Sequence, residues 1–255
     1  MKRVLSILLI TVILISTLSL VSCGSAREVD DINGKSAEEA YFDAMALINE
    51  GQRYEVVVDM KVTVKLLFIP IPIGVDGFYF YSYDGDNEHH GLTEEGEEFL
   101  NNDLISTFAP DMLSGYDKEI WYVDGMCYQI SSDGEKSKFA SDTSPVIRSE
   151  LEREVNIILQ NDIAEATCYK KGGQYYFELT LEGYDTRLDV IGATKEVYTI
   201  YFDEDGYIET INVVCEAEDY TSTLTMHYTY DGLAPITAPA DVSSFRDESD
   251  YYYYY

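Results

Sequence analysis

The groups in this chain that could do chemistry are four cysteines, three histidines and a large excess of carboxylates, 47 Asp and Glu among 255 residues. Asp203-Glu204-Asp205-Gly206 has the acidic density of a calcium loop. An EF-hand with Gly206 in sixth place needs acids in first and twelfth, where this chain has Tyr201 and Asn212. Tyr198, Ile200 and Phe202 lead into the stretch with strand alternation, so it reads as an acidic hairpin tip. The other Asp-Gly pairs, at 76–77, 84–85, 124–125, 133–134 and 231–232, read as turns. His89 and His90 stand near Glu88, Glu94 and Glu95, all metal-ligand types. Neighbours on a strand point to opposite faces, which keeps the two imidazoles off one ion. Cys215 and His227 could work as thiol and base only from one face. Pairing Leu224 with Cys215 sets His227 opposite Asn212, on the other face. No metal or cofactor is expected, because the cysteines and histidines lack ligand spacing. Phosphate-loop, dinucleotide, serine-nucleophile and zinc-protease motifs are absent, and with 47 acids a close carboxylate pair carries no glycosidase signal. The chain reads as non-catalytic.

Cys23 is the residue with a defined chemistry. Leu20-Val21-Ser22-Cys23 closes an apolar run that begins at Val4 behind Lys2 and Arg3, and the first acid is Glu28. A positive start, an apolar middle and a small residue at the cut make a secretory signal. Leu-Val-Ser-Cys also matches the lipobox of bacterial lipoproteins, in which the thiol takes a diacylglyceryl group and cleavage falls between Ser22 and Cys23. An uncleaved span is the alternative, since the run approaches the ~20 residues that cross a bilayer. Ser6, Thr11, Ser16, Thr17 and Ser19 weaken that alternative, and it leaves the Cys unexplained. The expectation is a domain held by lipid on the extracytoplasmic side of a bacterial cell membrane. Residues 1–22 contain two of the 17 basic residues and no acid, so the mature chain sets 15 cations against 47 anions, a net −32. That charge excludes nucleic acid as a partner and disfavours lying flat on an anionic bilayer. Cys127, Cys168 and Cys215 remain, and a disulfide between two of them cannot be deduced from their spacing.

The elements follow in order. Residues 24–35 read as a tether. Ser36-Ala37-Glu38-Glu39 is a capping box opening a helix through about residue 50, with a stripe of Ala37, Tyr41, Ala44, Leu47 and Ile48 and a stop at Gly51. Tyr54, Val56, Val58, Met60, Val62, Val64 and Leu66 then alternate with polar or smaller residues, a strand of ~40 Å with one covered face. Pro70 and Pro72 are expected to end it, and Asp76-Gly77 to turn into a strand at 78–83. Residues 84–118 resist reading beyond a polar turn and a helix near 97–108. Strands at 120–123 and 126–130 flank the hairpin signal Asp124-Gly125. A second helix runs from Ser144-Pro145 to about Gln160, burying Ile147, Leu151, Val155 and Ile158 and leaving Arg148, Glu150, Glu152 and Arg153 largely outside. Hairpins follow at 163–170 with 174–181, then 197–202, 207–217 and 221–230. Matching faces pairs Cys168 with Tyr175 and Cys215 with Leu224, both thiols facing the core. The tail 246–255, ending in five Tyr, reads as disordered.

Helix, strands, helix and more strands make an α+β fold with one large antiparallel sheet over residues 36–245. The lipobox, the capped helix, the long amphipathic strand, the Tyr-rich hairpins around 198–213 and the ending Ile236-Thr237-Ala238-Pro239-Ala240-Asp241-Val242 resemble the LolA/LolB and LppX/LprG superfamily of lipoprotein carriers and lipoproteins. That resemblance implies a strongly curved, incomplete barrel whose helices cover an apolar hollow. It also implies a role in carrying acyl chains or lipidated cargo. The lining would come from Val56, Val58, Met60, Val62 and Val64 with Tyr198, Ile200 and Phe202. Two functions compete. One is a binding module for a lipid or other apolar ligand, and the other is a structural or interaction lipoprotein whose own side chains fill the interior. A packed core and a ligand pocket use the same residues, so the alternation does not choose between them.

Overall fold

The computed structural model describes residues 25–49, 53–66, 69–101, 117–141, 150–183, 193–218 and 220–248, without the side chains of 64–66, 69, 150, 151 and 154. Ser22, Cys23, residues 67–68, the helix expected beyond residue 101, the start of the second long helix and the tail from 249 lie outside the described residues.

Period-2 alternation builds most of the molecule. The strands are β1 (Arg27–Glu28), β2 (Tyr54–Leu66), β3 (Ile69–Tyr83), β4 (Glu88–Leu92), β5 (Glu119–Val123), β6 (Met126–Ile130) and β7 (Lys136–Ala140). They continue as β8 (Thr167–Lys171), β9 (Gln174–Glu182), β10 (Ala193–Phe202), β11 (Ile208–Ala217), β12 (Tyr220–Thr229) and β13 (Arg246–Asp247). All thirteen form one sheet in the order β1-β8-β9-β10-β11-β12-β2-β3-β4-β5-β6-β7-β13, which does not close into a barrel. Every neighbouring pair is antiparallel except β7 and β13. The helices α1 (Ala37–Asn49), α2 (Glu94–Leu100) and α3 (Glu150–Asp162) are short, so the chain is mostly β. None of the described helices is long and apolar enough to cross a membrane.

The capping box forms as its residue types require. Glu39 N donates to Ser36 Oγ at 3.1 Å and Ser36 N to Glu39 Oε2 at 2.9 Å. Helix α1 buries Ala37, Ala40, Tyr41, Ala44, Met45 and Ile48 on the sheet. Helix α3 covers the same face through Val155, Ile158 and Leu159, in one continuous core with β2, β9, β10, β11 and β12.

Several expectations are corrected. The tether is shorter, because Arg27–Glu28 already pairs with Lys170 and Tyr169 and Ile32 is buried in the core. At the far end the sheet takes in Arg246 and Asp247, and Glu248 N still donates to Lys138 O, so the order of the domain runs past residue 245. Pro70 and Pro72 do not end a strand. They pair with Lys65 and Thr63 inside β3, whose first half has no neighbour on its other side among the described residues, the place where a strand tolerates a missing N–H. Asp76-Gly77 is a bulge within β3. Val58 pairs with Tyr79 and Met60 with Val75, so Asp59 faces three residues and its Oδ1 accepts from Gly77 N at 2.6 Å. The two tested registers are each two residues off: Cys168 faces Phe177 and Cys215 faces Ser222. A shift of two keeps every side chain on its face, and both thiols are buried.

Candidate functional site

The sheet uses both faces. On the helix-covered face, Val56, Val58, Met60, Val62, Tyr198, Ile200 and Phe202 belong to one core, each at most 8% exposed. Val64 continues the row in backbone register with Tyr220 and Ile71. Tyr198 faces Val213 across one ladder and Leu179 across the other, and Met226 links Ile211 to Val58, which makes the face continuous. Helices α1 and α3 lie directly on it, so the described residues of this face form a packed interior.

That interior has a polar seam the sequence reading missed. Glu152 is 3% exposed, where the stripe of α3 had placed it outside, and Tyr228 donates to its Oε1 at 3.4 Å. One turn on, Asn156 accepts at Oδ1 from Tyr41 at 2.6 Å. Tyr54 stacks between Tyr228 and Tyr81, with centroids at 6.2 Å and 5.8 Å, and His90 and Glu88 extend the seam along β4. Burial holds the hydroxyls of Tyr81 and Tyr228 well above the usual phenol range. Burial, with His89 adjacent, pulls His90 down to about 4, so it is neutral at pH 7. The signal was present in the sequence. A chain that puts Tyr41, Tyr198 and Tyr228 on core faces buries hydroxyls that here bond Asn156, Glu196 and Glu152.

The opposite face carries a second, smaller core of Trp121, Val123 and Phe245, with Tyr128, Ile130 and Ile236 packed on it. Residues 233–247 return across this face as a strap. Ile236 N donates to Asp84 Oδ2 at 3.0 Å, Lys136 Nζ meets Asp241 Oδ2 at 2.6 Å, and Phe245 sets its ring against Trp121 and Tyr128. Between strap and sheet lies a cleft of about 370 Å³, lined by Arg53, Tyr54, Glu55, Ser82, Tyr83, His89, Trp121 and residues 233–240. His89 stacks on Trp121 at 4.7 Å and holds Glu119 Oε1 at 2.8 Å, which fixes that wall.

The chemistry-bearing candidates separate as the strand geometry requires. His89 and His90 point to opposite faces. His227 is exposed and bonds Asp59 Oδ2 at 3.0 Å, whereas Cys215 is fully buried, so no thiol–imidazole pair forms. Burial raises Cys127 to about 12 and Cys215 to about 11, and Cys168 is also raised. Asp203 closes a hairpin tip, its Oδ1 accepting from Asp205 N and Tyr207 N at 3.0 Å and 2.9 Å. Among the described residues no cluster of three metal-binding side chains occurs.

No protein-family model and no curated protein matches the chain. Solved structures similar to it include two at low identity. One is a DUF1329 family protein from Desulfovibrio piger, at 11% identity and a TM-score of 0.27, covering 78% of this chain and 93% of that one. The other is the ywiB protein from Bacillus subtilis, at 13% identity and a TM-score of 0.22, covering 69% of this chain and 92% of that one. Superpositions this loose carry no functional argument.

Proposed function

We propose that this protein is a lipid-anchored, extracytoplasmic interaction module of a bacterial envelope, without a catalytic centre and with a core filled by its own side chains. The anchor rests on Leu20-Val21-Ser22-Cys23. The open sheet with helices on one face fits the curved, incomplete barrel of the lipoprotein carriers that the sequence resembles. The observation that carries the reading is the state of the expected lining. Seven of its eight side chains are at most 8% exposed and pack under α1 and α3, with Tyr198 and Ile200 fully buried. A carrier of acyl chains keeps such a face available to its cargo, and a filled core does not.

The two readings separate on Val58→Trp. In a filled core the added ring overpacks and costs about 1–3 kcal/mol. Thermal melts should therefore drop, and the parent should take up no fluorescent fatty-acid probe. Saturable uptake by the parent, abolished in Val58→Trp while the melt holds, would restore the lipid-carrier reading.

A further inference from the structure

We propose that the cleft beneath the C-terminal strap binds a small ligand with one carboxylate and a flat apolar body, the carboxylate being held by Arg53. The proposal does not depend on how the core on the other face is filled.

Most of the polar side chains that line the cleft already have partners. Glu55 accepts from Ser82 Oγ at 3.1 Å, His89 is committed to Glu119 and stacked on Trp121, and the Tyr83 hydroxyl donates to Gly85 O. On the strap, Ile236 N is taken by Asp84, and Pro235 and Pro239 have no N–H to offer. Arg53 is different. Exposed Arg53 meets no carboxylate among the described residues, as is also true of Arg27, Lys61, Lys138, Lys171 and Lys195, but of these it alone lines the cleft. Its planar fork matches a carboxylate two bonds at a time.

The remaining walls set the rest of the ligand. Trp121, Ile236, Ala238 and the two prolines supply the apolar part of a lining that is otherwise polar, and about 370 Å³ falls within the range of small-molecule sites. Glu55 lies two residues along the strand from Arg53 and lines the same cleft, so a second negative group on the ligand would be repelled. One acid and one flat apolar body is the class that satisfies both ends.

Trp121 is the only tryptophan in the chain, so its fluorescence reports on this cleft directly. The full mature protein in detergent is titrated with phenylacetate, with phenylacetamide as the neutral counterpart. Phenylacetate should give a saturable change and phenylacetamide none. Arg53→Gln should weaken phenylacetate at least tenfold with an unchanged melt, because Arg53 holds no other partner among the described residues, and Arg53→Lys should recover part of the loss. The absence of a saturable response to phenylacetate, or equal affinity in Arg53→Gln, overturns the proposal. Fatty-acid uptake by the core would leave these results unmoved, so the two readings fail separately.

Discussion

His90 shows how one side chain makes this fold depend on pH. It is buried beside Tyr79, Tyr81 and Glu88, with His89 next in the chain, and its ring is held neutral by desolvation. Its folded value of about 4 lies below the ordinary 6.5, so between those limits the unfolded chain binds the extra proton. The stability from keeping His90 neutral is therefore present above pH 6.5 and is lost as pH falls towards 4, about 3 kcal/mol in all at 1.36 kcal/mol per pH unit. Denaturant melts at pH 7 and pH 4.5 should show a smaller acid loss in His90→Gln than in the parent. Equal losses would mean that His90 is not the group titrating. That His89 and His90 could not share an ion followed from adjacency alone, since neighbours on a strand point to opposite faces, although β4 itself was not read from the sequence. Glu152 was not legible in the same way, because helical spacing marks apolar stripes and does not mark a carboxylate that follows buried tyrosines into the core.

At the scale of elements, β2 and β3 form the longest hairpin, and Gly77 is where its geometry depends on one residue. Gly77 has φ 67°, in the left-handed region, and its N–H is spent on Asp59. Asp59 in turn holds His227 on β12, so the bulge ties three adjacent strands together. Gly77→Ala should cost about 1–2 kcal/mol from the conformation alone. Its Cβ would come no nearer than 3.8 Å to Val57, so crowding adds nothing. A melt identical to the parent's would show that the bulge relaxes freely. The capping box, the alternation of β2 and the Asp124-Gly125 hairpin were legible because local chemistry alone decides them. The course of β3 was not. Asp-Gly and two prolines are turn signals until a free sheet edge and a bulge accommodate them, and neither is a local property. The region around 84–118 was unreadable for a related reason. Helix α2 is seven residues long, capped by Thr93 Oγ1 on Gly96 N at 2.9 Å, and Gly96 is there because a Cβ would fall 2.0 Å from Phe78 O.

At the scale of the whole molecule, both ends of the chain finish the sheet: β1 covers the β8 edge and β13 covers the β7 edge. Such short terminal strands blunt edges that would otherwise pair with another chain. Cys23 lies only four residues before Arg27, so an acyl group on it would hold the β1–β8 edge within ~14 Å of the bilayer surface. A domain held there would stand close to the membrane by that edge, and the net charge of −30 would keep the rest of its surface in solvent. An acylated Cys23 and an interior without cargo would both show in one mass. Native mass spectrometry of the protein purified from its cell membrane should give the polypeptide from Cys23 onward plus covalent acyl chains and nothing more. An unmodified chain still carrying residues 1–22, or an additional apolar mass that departs on denaturation, would contradict the proposed function.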